Sequence, residues 1–285
     1  MKLRLPKRRR FDLRKAAFIL PNLFTVSSIF CGFYAAVSAA SATGENAHQA
    51  LYRACIAVLF GMIFDSVDGR VARLTRTQSA FGVQMDSLAD VISFGVAPAL
   101  IAWHWSLHSF GTPGLIACFL YCAAGTVRLA RFNVMAAASS GPSDYFLGLP
   151  IPAAAGLLVA MIITSLRTGY LPAAEHWWVP VIMVCLGILM VSNVRFRTFK
   201  ATKMTIPLFA GLMAFFGGLI FLAYQTGPSV AILSLMLVYL AVGLGESTLR
   251  LFKEDDEAEE EVNLDDLDEK LLDPLLEDGE EELID

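Results

Sequence analysis

The stretch Asp65-Ser-Val-Asp68-Gly69-Arg-Val-Ala72-Arg73-Leu-Thr-Arg-Thr-Gln-Ser-Ala-Phe-Gly82-Val-Gln-Met-Asp86-Ser-Leu-Ala-Asp90 sets four carboxylates within 26 residues, between two long apolar runs. Those runs decide the fold. The 285-residue chain is 56% hydrophobic and 17% charged, with a mean hydropathy of +0.58. Soluble domains carry about 25% charged residues, and so much apolar surface does not fit inside one water-soluble core. Eight stretches approach the roughly 20 apolar residues that a membrane helix needs: 18–40, 48–67, 87–108, 113–135, 150–168, 177–194, 205–225 and 229–250. The expected fold is an all-α polytopic membrane protein of about eight transmembrane helices. It divides into a basic interfacial segment (1–17), a membrane domain (18–250) and an acidic tail (251–285). The first apolar run is long enough to span rather than to be removed as a signal peptide.

The overall charge of −5 hides an asymmetry. Eighteen of the 27 acids lie between Glu254 and Asp285, where Lys270 is the one base, so the remainder carries +12. Lys and Arg are retained on the cytoplasmic side of membrane proteins. With both termini cytoplasmic, only Arg53 and Arg167 of the 22 bases fall outside. This orientation, in a bacterial cytoplasmic membrane, puts the four carboxylates at the cytoplasmic face. All four Trp (Trp103, Trp105, Trp177, Trp178) and all four His (His48, His104, His108, His176) then lie toward the outer boundary. His104 and His108 are one helical turn apart but have no third ligand close in sequence, and read as interfacial side chains. The five cysteines lie in apolar stretches with no Cys-x-x-Cys pair, and read as small hydrophobes rather than a disulfide framework. The basic N-terminus is a positive-inside anchor or a surface helix on anionic lipids. The tail is a self-repelling, solvated charge run, or a short amphipathic helix on Leu264, Leu267, Leu271 and Leu275. The bases are accounted for by the membrane, and no nucleic-acid partner is expected.

Only nine acids precede the tail, and four of them are these. A carboxylate at membrane depth costs about 2.5–3.5 kcal/mol, so something positive must compensate. Asp65 and Asp68 are spaced i,i+3, and Asp86 and Asp90 i,i+4, so each pair projects from one helical face. On adjacent antiparallel helices they converge as hard oxygen ligands suited to Mg²⁺ or Mn²⁺, and to two ions more easily than one. The competing reading is ion pairing with Arg70, Arg73 and Arg76, although buried ion pairs seldom stabilise enough to justify four acids. Gly69 and Ala72 clear the wall beside Asp65, Gly82 opens the approach to Asp86, and Arg73 offers a fork of donors to a phosphate. Together they read as equipment for a diphosphate.

The pattern Asp65-x2-Asp68-Gly69-x2-Ala72-Arg73-x8-Gly82-x3-Asp86-x3-Asp90 matches, at all eight fixed positions, the signature of the CDP-alcohol phosphotransferase family, and the multi-span layout extends the resemblance. The resemblance implies transfer of a phosphorus-bearing group from a CDP-linked donor to an alcohol, with release of CMP. It implies Asp65, Asp68 and Asp86 as metal ligands, with Asp90 near the metals and acting as general base. Gly69, Ala72, Arg73 and Gly82 would cradle the CDP moiety, and Asn22 and Thr25 would lie on the donor side. A site at the lipid–water boundary suits CDP-diacylglycerol as donor. The strings Arg128-Leu-Ala-Arg131-Phe-Asn133, Phe146-Leu-Gly-Leu-Pro-Ile-Pro152 and Val191-Ser-Asn-Val-Arg195-Phe are similar to those of the phosphatidylserine synthase branch, which implies L-serine as acceptor. Arg128, Arg131, Asn133 and Arg195 are its candidate ligands, since an Arg fork matches a carboxylate bidentately.

Three other readings stay open. Another acceptor, glycerol phosphate or an inositol phosphate, would use more of the cations on this face. A divalent-cation transporter would also place acids in membrane helices, although such sites favour the midplane. Ser93, one turn beyond Asp90, is either a partner of the carboxylates or a helix-packing residue. Gly156, Gly211, Gly217 and Gly218 are expected to permit close helix packing, and the family resemblance suggests a homodimer.

Overall fold

The computed structural model describes residues 13–75, 77, 79–138, 145–169, 176–197 and 217–247. The basic N-terminal segment up to residue 12, most of the expected 205–225 span and the acidic tail lie outside the described residues. Helices dominate: α1 (Leu13–Ala40), α2 (Ala47–Thr75), α3 (Ala80–Asp90), α4 (Ala97–Trp105), α5 (Thr112–Ala138), α6 (Ile151–Thr168) and α7 (Trp178–Val191). Two more follow, α8 (217–226) and α9 (Pro228–Ser247). Among the described residues, six helical stretches are long and apolar enough to cross a membrane. Of the expected spans, 177–194 appears as the 14-residue α7, which at 1.5 Å per residue reaches about 21 Å.

Two expected boundaries shift. The 48–67 span is part of a helix that continues to Thr75, and the 87–108 span begins at Ala80. Charges mark where a helix leaves an apolar medium, but they do not end it, because its hydrogen bonds are internal. All eight signature positions therefore stand on helix, on the last three turns of α2 and along α3. Ser79 starts α3 as its N-cap, its Oγ accepting from Gly82 N–H at 3.0 Å.

The chain alternates between two ends of the bundle. The starts of α3 and α6 and the ends of α2, α5 and α7 meet at the carboxylate end. Trp103, Trp105, His104 and Trp178 lie at the other end, where His48 Nε2 meets the Leu166 carbonyl. His108 Nδ1 lies 3.1 Å from the Trp103 carbonyl and its ring meets the indole edge-on. All five cysteines are free.

α1 lies along α2, and α6 is the most enclosed spanning helix, burying Ala154, Ala155, Leu158, Val159 and Ile162. Between α3 and α4, Val91–Val96 forms a π-helical turn. Such a turn releases a backbone carbonyl, and the fully buried Tyr121 donates its hydroxyl to Phe94 O at 3.0 Å. Ser93 Oγ donates to Ser28 O at 2.9 Å and Ser28 Oγ to Gly61 O at 3.2 Å, so Ser93 is the helix-packing residue of the two readings. α1 also approaches closely at Gly32, where an added Cβ would stand 2.6 Å from Ser93 Cα. Gly32→Ala is expected to destabilise the protein by about 1–3 kcal/mol, as overpacking does; a lower Tm of the purified protein checks it. Of the glycines expected to allow close packing, Gly156 does, with Met62 Cε at 3.0 Å from an added Cβ. Gly217 and Gly218 have nothing within 4 Å among the described residues. Gly211 is outside the described residues.

One departure from an all-helical description is a short antiparallel ribbon, β1 (Tyr145–Leu147) with β2 (Arg195–Arg197), in which Phe146 opposes Phe196. The α5–α6 connection and the chain leaving α7 meet at the carboxylate end, and pairing them satisfies backbone groups that no helix serves.

Candidate active site

Asp65, Asp68, Asp86 and Asp90 line one cavity of about 540 Å³, walled by α1, α2, α3, α5 and the start of α6. The i,i+3 and i,i+4 spacings bring both pairs inward from α2 and α3. Ligand oxygens of Asp65, Asp68 and Asp86 lie within 4.8 Å of one another, the one such His/Cys/Asp/Glu group among the described residues. Asp90 stands beside Asp65 and lines the same cavity. Asp68 is 4% and Asp90 9% exposed.

Among the described residues, no ion pair with Arg70 or Arg73 satisfies these carboxylates. The Arg70 and Arg73 side chains are exposed, Arg76 lies outside the described residues, and Asp86 Oδ1 and Asp90 Oδ1 are buried without a hydrogen-bond partner among the described residues. Buried carboxylate oxygens without donors, close to two further carboxylates, are what a hard divalent cation requires. The donor set fits the metal that the sequence pattern implies.

Small residues and short polar side chains complete the α1 side. The Thr25 hydroxyl donates to Asp68 Oδ2 at 2.9 Å, with the Pro21 carbonyl 3.2 Å away as its alternative acceptor. Asn22 lines the cavity, and its Oδ1 would be 3.8 Å from a Cβ on Gly82. At Gly69 an added Cβ would meet the Arg73 guanidinium at 3.6 Å, so that side chain folds back over the bare backbone. Gly69, Ala72, Arg73 and Gly82 all line the cavity.

The opposite wall comes from α5. Arg128 is 6% exposed, lies beside Asp90, and has a buried Nε without a hydrogen-bond partner among the described residues. Asn133 Nδ2 donates to Ser87 Oγ at 2.8 Å, tying α5 to α3 one residue past Asp86. Arg131 turns to the protein instead, with its guanidinium on backbone carbonyls near the ribbon. Arg195 stands in β2, and its side chain is not among those described. The four acceptor candidates therefore divide, with Arg128 and Asn133 on the cavity and Arg131 behind it.

Ser87 also lines the cavity and carried no sequence signal of its own, whereas Pro150 and Pro152 belong to the string Phe146–Pro152. Tyr239 of α9 lies beside Arg128, across more than a hundred residues of chain. Ser79 was findable as a helix-start residue preceding Gly82.

The fold and the cavity define an integral membrane protein with a metal-suited carboxylate cluster at one end of its helix bundle. The CDP-alcohol phosphatidyltransferase family model matches residues 18–174, and the chain belongs to that family. It is 41% identical, over 80% of its own length and 90% of the relative's, to a CDP-diacylglycerol–serine O-phosphatidyltransferase of Helicobacter pylori. Proteins of the same name in Methanocaldococcus jannaschii (37% identity over 54% of this chain and 67% of the relative) and Saccharomyces cerevisiae (41% over 50% and 52%) are also similar.

Proposed function

We propose that the protein transfers the phosphatidyl group of CDP-diacylglycerol to the hydroxyl of L-serine, giving phosphatidylserine and CMP. The carrying observation is the cluster of Asp65, Asp68 and Asp86, beside which Asp90 and the buried Arg128 face the same cavity. The names of the relatives support the choice of donor and acceptor.

Asp65, Asp68 and Asp86 would hold the divalent cation, Mg²⁺ or Mn²⁺, and with Asp90 alongside the set suits two ions. Bound there, the cation supplies charge neutralisation for the diphosphate and for the departing CMP. Asp90 takes the proton of the serine hydroxyl; no histidine competes, since His48 stands 17 residues before Asp65 on α2, about 25 Å away. The serine oxygen then bonds to the lipid-bearing phosphorus, and the bridging P–O bond to CMP breaks. Arg128 meets the serine carboxylate, with Asn133 and Arg195 completing the acceptor side. Gly69, Ala72 and Gly82 leave room for the nucleotide, Arg73 grips its phosphate, and Asn22 and Thr25 order the donor side. In this reading residues 18–250 form the catalytic membrane domain in the bacterial inner membrane. The site and both termini face the cytoplasm, anionic lipids lie against the basic segment, and the unit is a homodimer.

Purified protein supplied with labelled serine, CDP-diacylglycerol and Mg²⁺ or Mn²⁺ is expected to release CMP and form labelled phosphatidylserine. CMP release with glycerol phosphate or inositol phosphate but not with serine would reassign the acceptor. Metal uptake into vesicles without CMP release from any acceptor would replace the enzyme by a transporter.

A further inference from the structure

Arg131 lies one helical turn beyond Arg128, yet its guanidinium is fully engaged elsewhere. Nη1 donates to Val191 O at 2.9 Å and reaches Asn193 Oδ1 at 3.3 Å. Nη2 donates to Ser192 O at 3.0 Å and to Leu147 O at 3.2 Å. These acceptors lie on two connections more than forty residues apart, one leading into α6 and one leaving α7. The string Arg128–Asn133 holds the donor, and the strings Phe146–Pro152 and Val191–Phe196 hold all four acceptors. One side chain thus joins three segments that the sequence shows only as separate patches.

The joint is tight. Gly148 N–H donates to Val194 O at 2.8 Å and Leu149 N–H to Leu189 O at 3.0 Å, beside the β1–β2 pairing. Gly148 has φ +74°, and a Cβ there would collide with the Met190 carbonyl and stand 3.1 Å from Arg131 Nη2. Directly after this joint come Pro150 and Pro152, which form the cavity wall facing α5. A fan of two acceptor pairs suits a planar guanidinium with donors on separate nitrogens, and one ammonium nitrogen does not span both pairs.

We infer that Arg131 is a positioning residue: a clasp that fixes the ribbon and the Leu149–Pro152 wall against α5 and so sets the acceptor side of the cavity opposite Arg128 and Asp90. It acts through that wall and does not touch the acceptor. This rests on the proposed reading of the cavity as the place where donor and alcohol meet.

The test uses the full-length protein in lipid nanodiscs, comparing wild type with Arg131→Ala and Arg131→Lys by hydrogen exchange and steady-state kinetics. Arg131→Ala is expected to speed exchange of the Gly148 and Leu149 amides by about tenfold or more, with α1 and α2 unchanged, because the clasped segments open locally. At saturating serine kcat is expected to fall by about tenfold while the donor KM stays within about twofold, a split that general loosening would not give. Arg131→Lys is expected to restore neither, and carries the test alone should the Ala variant fail to accumulate. Unchanged ribbon exchange with only the serine KM raised, and partly recovered by Lys, would make Arg131 a substrate ligand and overturn the clasp. Faster ribbon exchange with normal turnover would overturn its positioning role. A wild-type protein that releases no CMP with serine would sink the proposed reaction, while the exchange data would still judge the clasp.

Discussion

Asp86→Ala abolishes CMP release while leaving the protein folded and inserted, and raises its thermal stability or leaves it unchanged. The catalytic half of this expectation follows from the cluster. A divalent cation contributes several kcal/mol of charge stabilisation to a phosphoryl-type transfer, and at 1.36 kcal/mol per decade losing its site costs about a thousandfold or more. The stability half follows from Asp86 Oδ1, which is buried and without a donor in the protein alone. In metal-free buffer the side chain is a burden that alanine removes, since an uncompensated buried carboxylate is costly. Turnover assayed beside Tm, with and without chelator, checks both: wild type should gain stability on adding metal and the variant should gain less. Near-normal turnover in Asp86→Ala or Asp65→Ala would remove the carboxylates from the metal-ligand role.

Arg128→Ala is expected to raise the serine requirement by about a hundredfold or more, the scale for truncating one partner of a buried charge pair. The donor requirement should change far less. Arg128 is at least as buried as Asp90 and lies beside it, with a buried Nε that has no hydrogen-bond partner among the described residues. Removing it leaves Asp90 with carboxylate neighbours and no adjacent cation, so stability should fall, in contrast to Asp86→Ala. The double variant Arg128→Ala/Asp90→Asn is expected to recover that stability without recovering activity, a non-additivity that marks the two as one unit. A uniform loss toward donor and serine would instead assign Arg128 to phosphate.

The carboxylate site was legible because its parts are local. Eight fixed positions fall on two helices joined by a short connection, and helical periodicity alone turns the four acids inward. The division of the acceptor candidates was not legible. Arg128 and Arg131 are both arginines near the end of one apolar run, and what separates them is the carbonyl fan at residues 147 and 191–193, which belongs to distant loops. Tyr239 was invisible for the same reason. The helix ends were misjudged at Thr75 and Ala80 because hydropathy reports where a helix leaves the apolar layer, not where its hydrogen bonding stops. The close approach of Gly32 to Ser93 was not legible either, since a glycine shows nothing about its neighbours until the partner helix is placed.

The π turn at Val91–Val96 has a consequence for how this chain tolerates length changes. One surplus residue sits between the half-rod bearing Asp86 and Asp90 and the half-rod ending in Trp105. An ordinary helix advances about 100° per residue. Excising a single amino acid from that turn would therefore restore regular winding and swing one half about its axis relative to the other, aiming both acids away from α2. Angular phase along this rod hangs on one inserted position, so a one-codon deletion there should be worse tolerated than most substitutions in the same six residues.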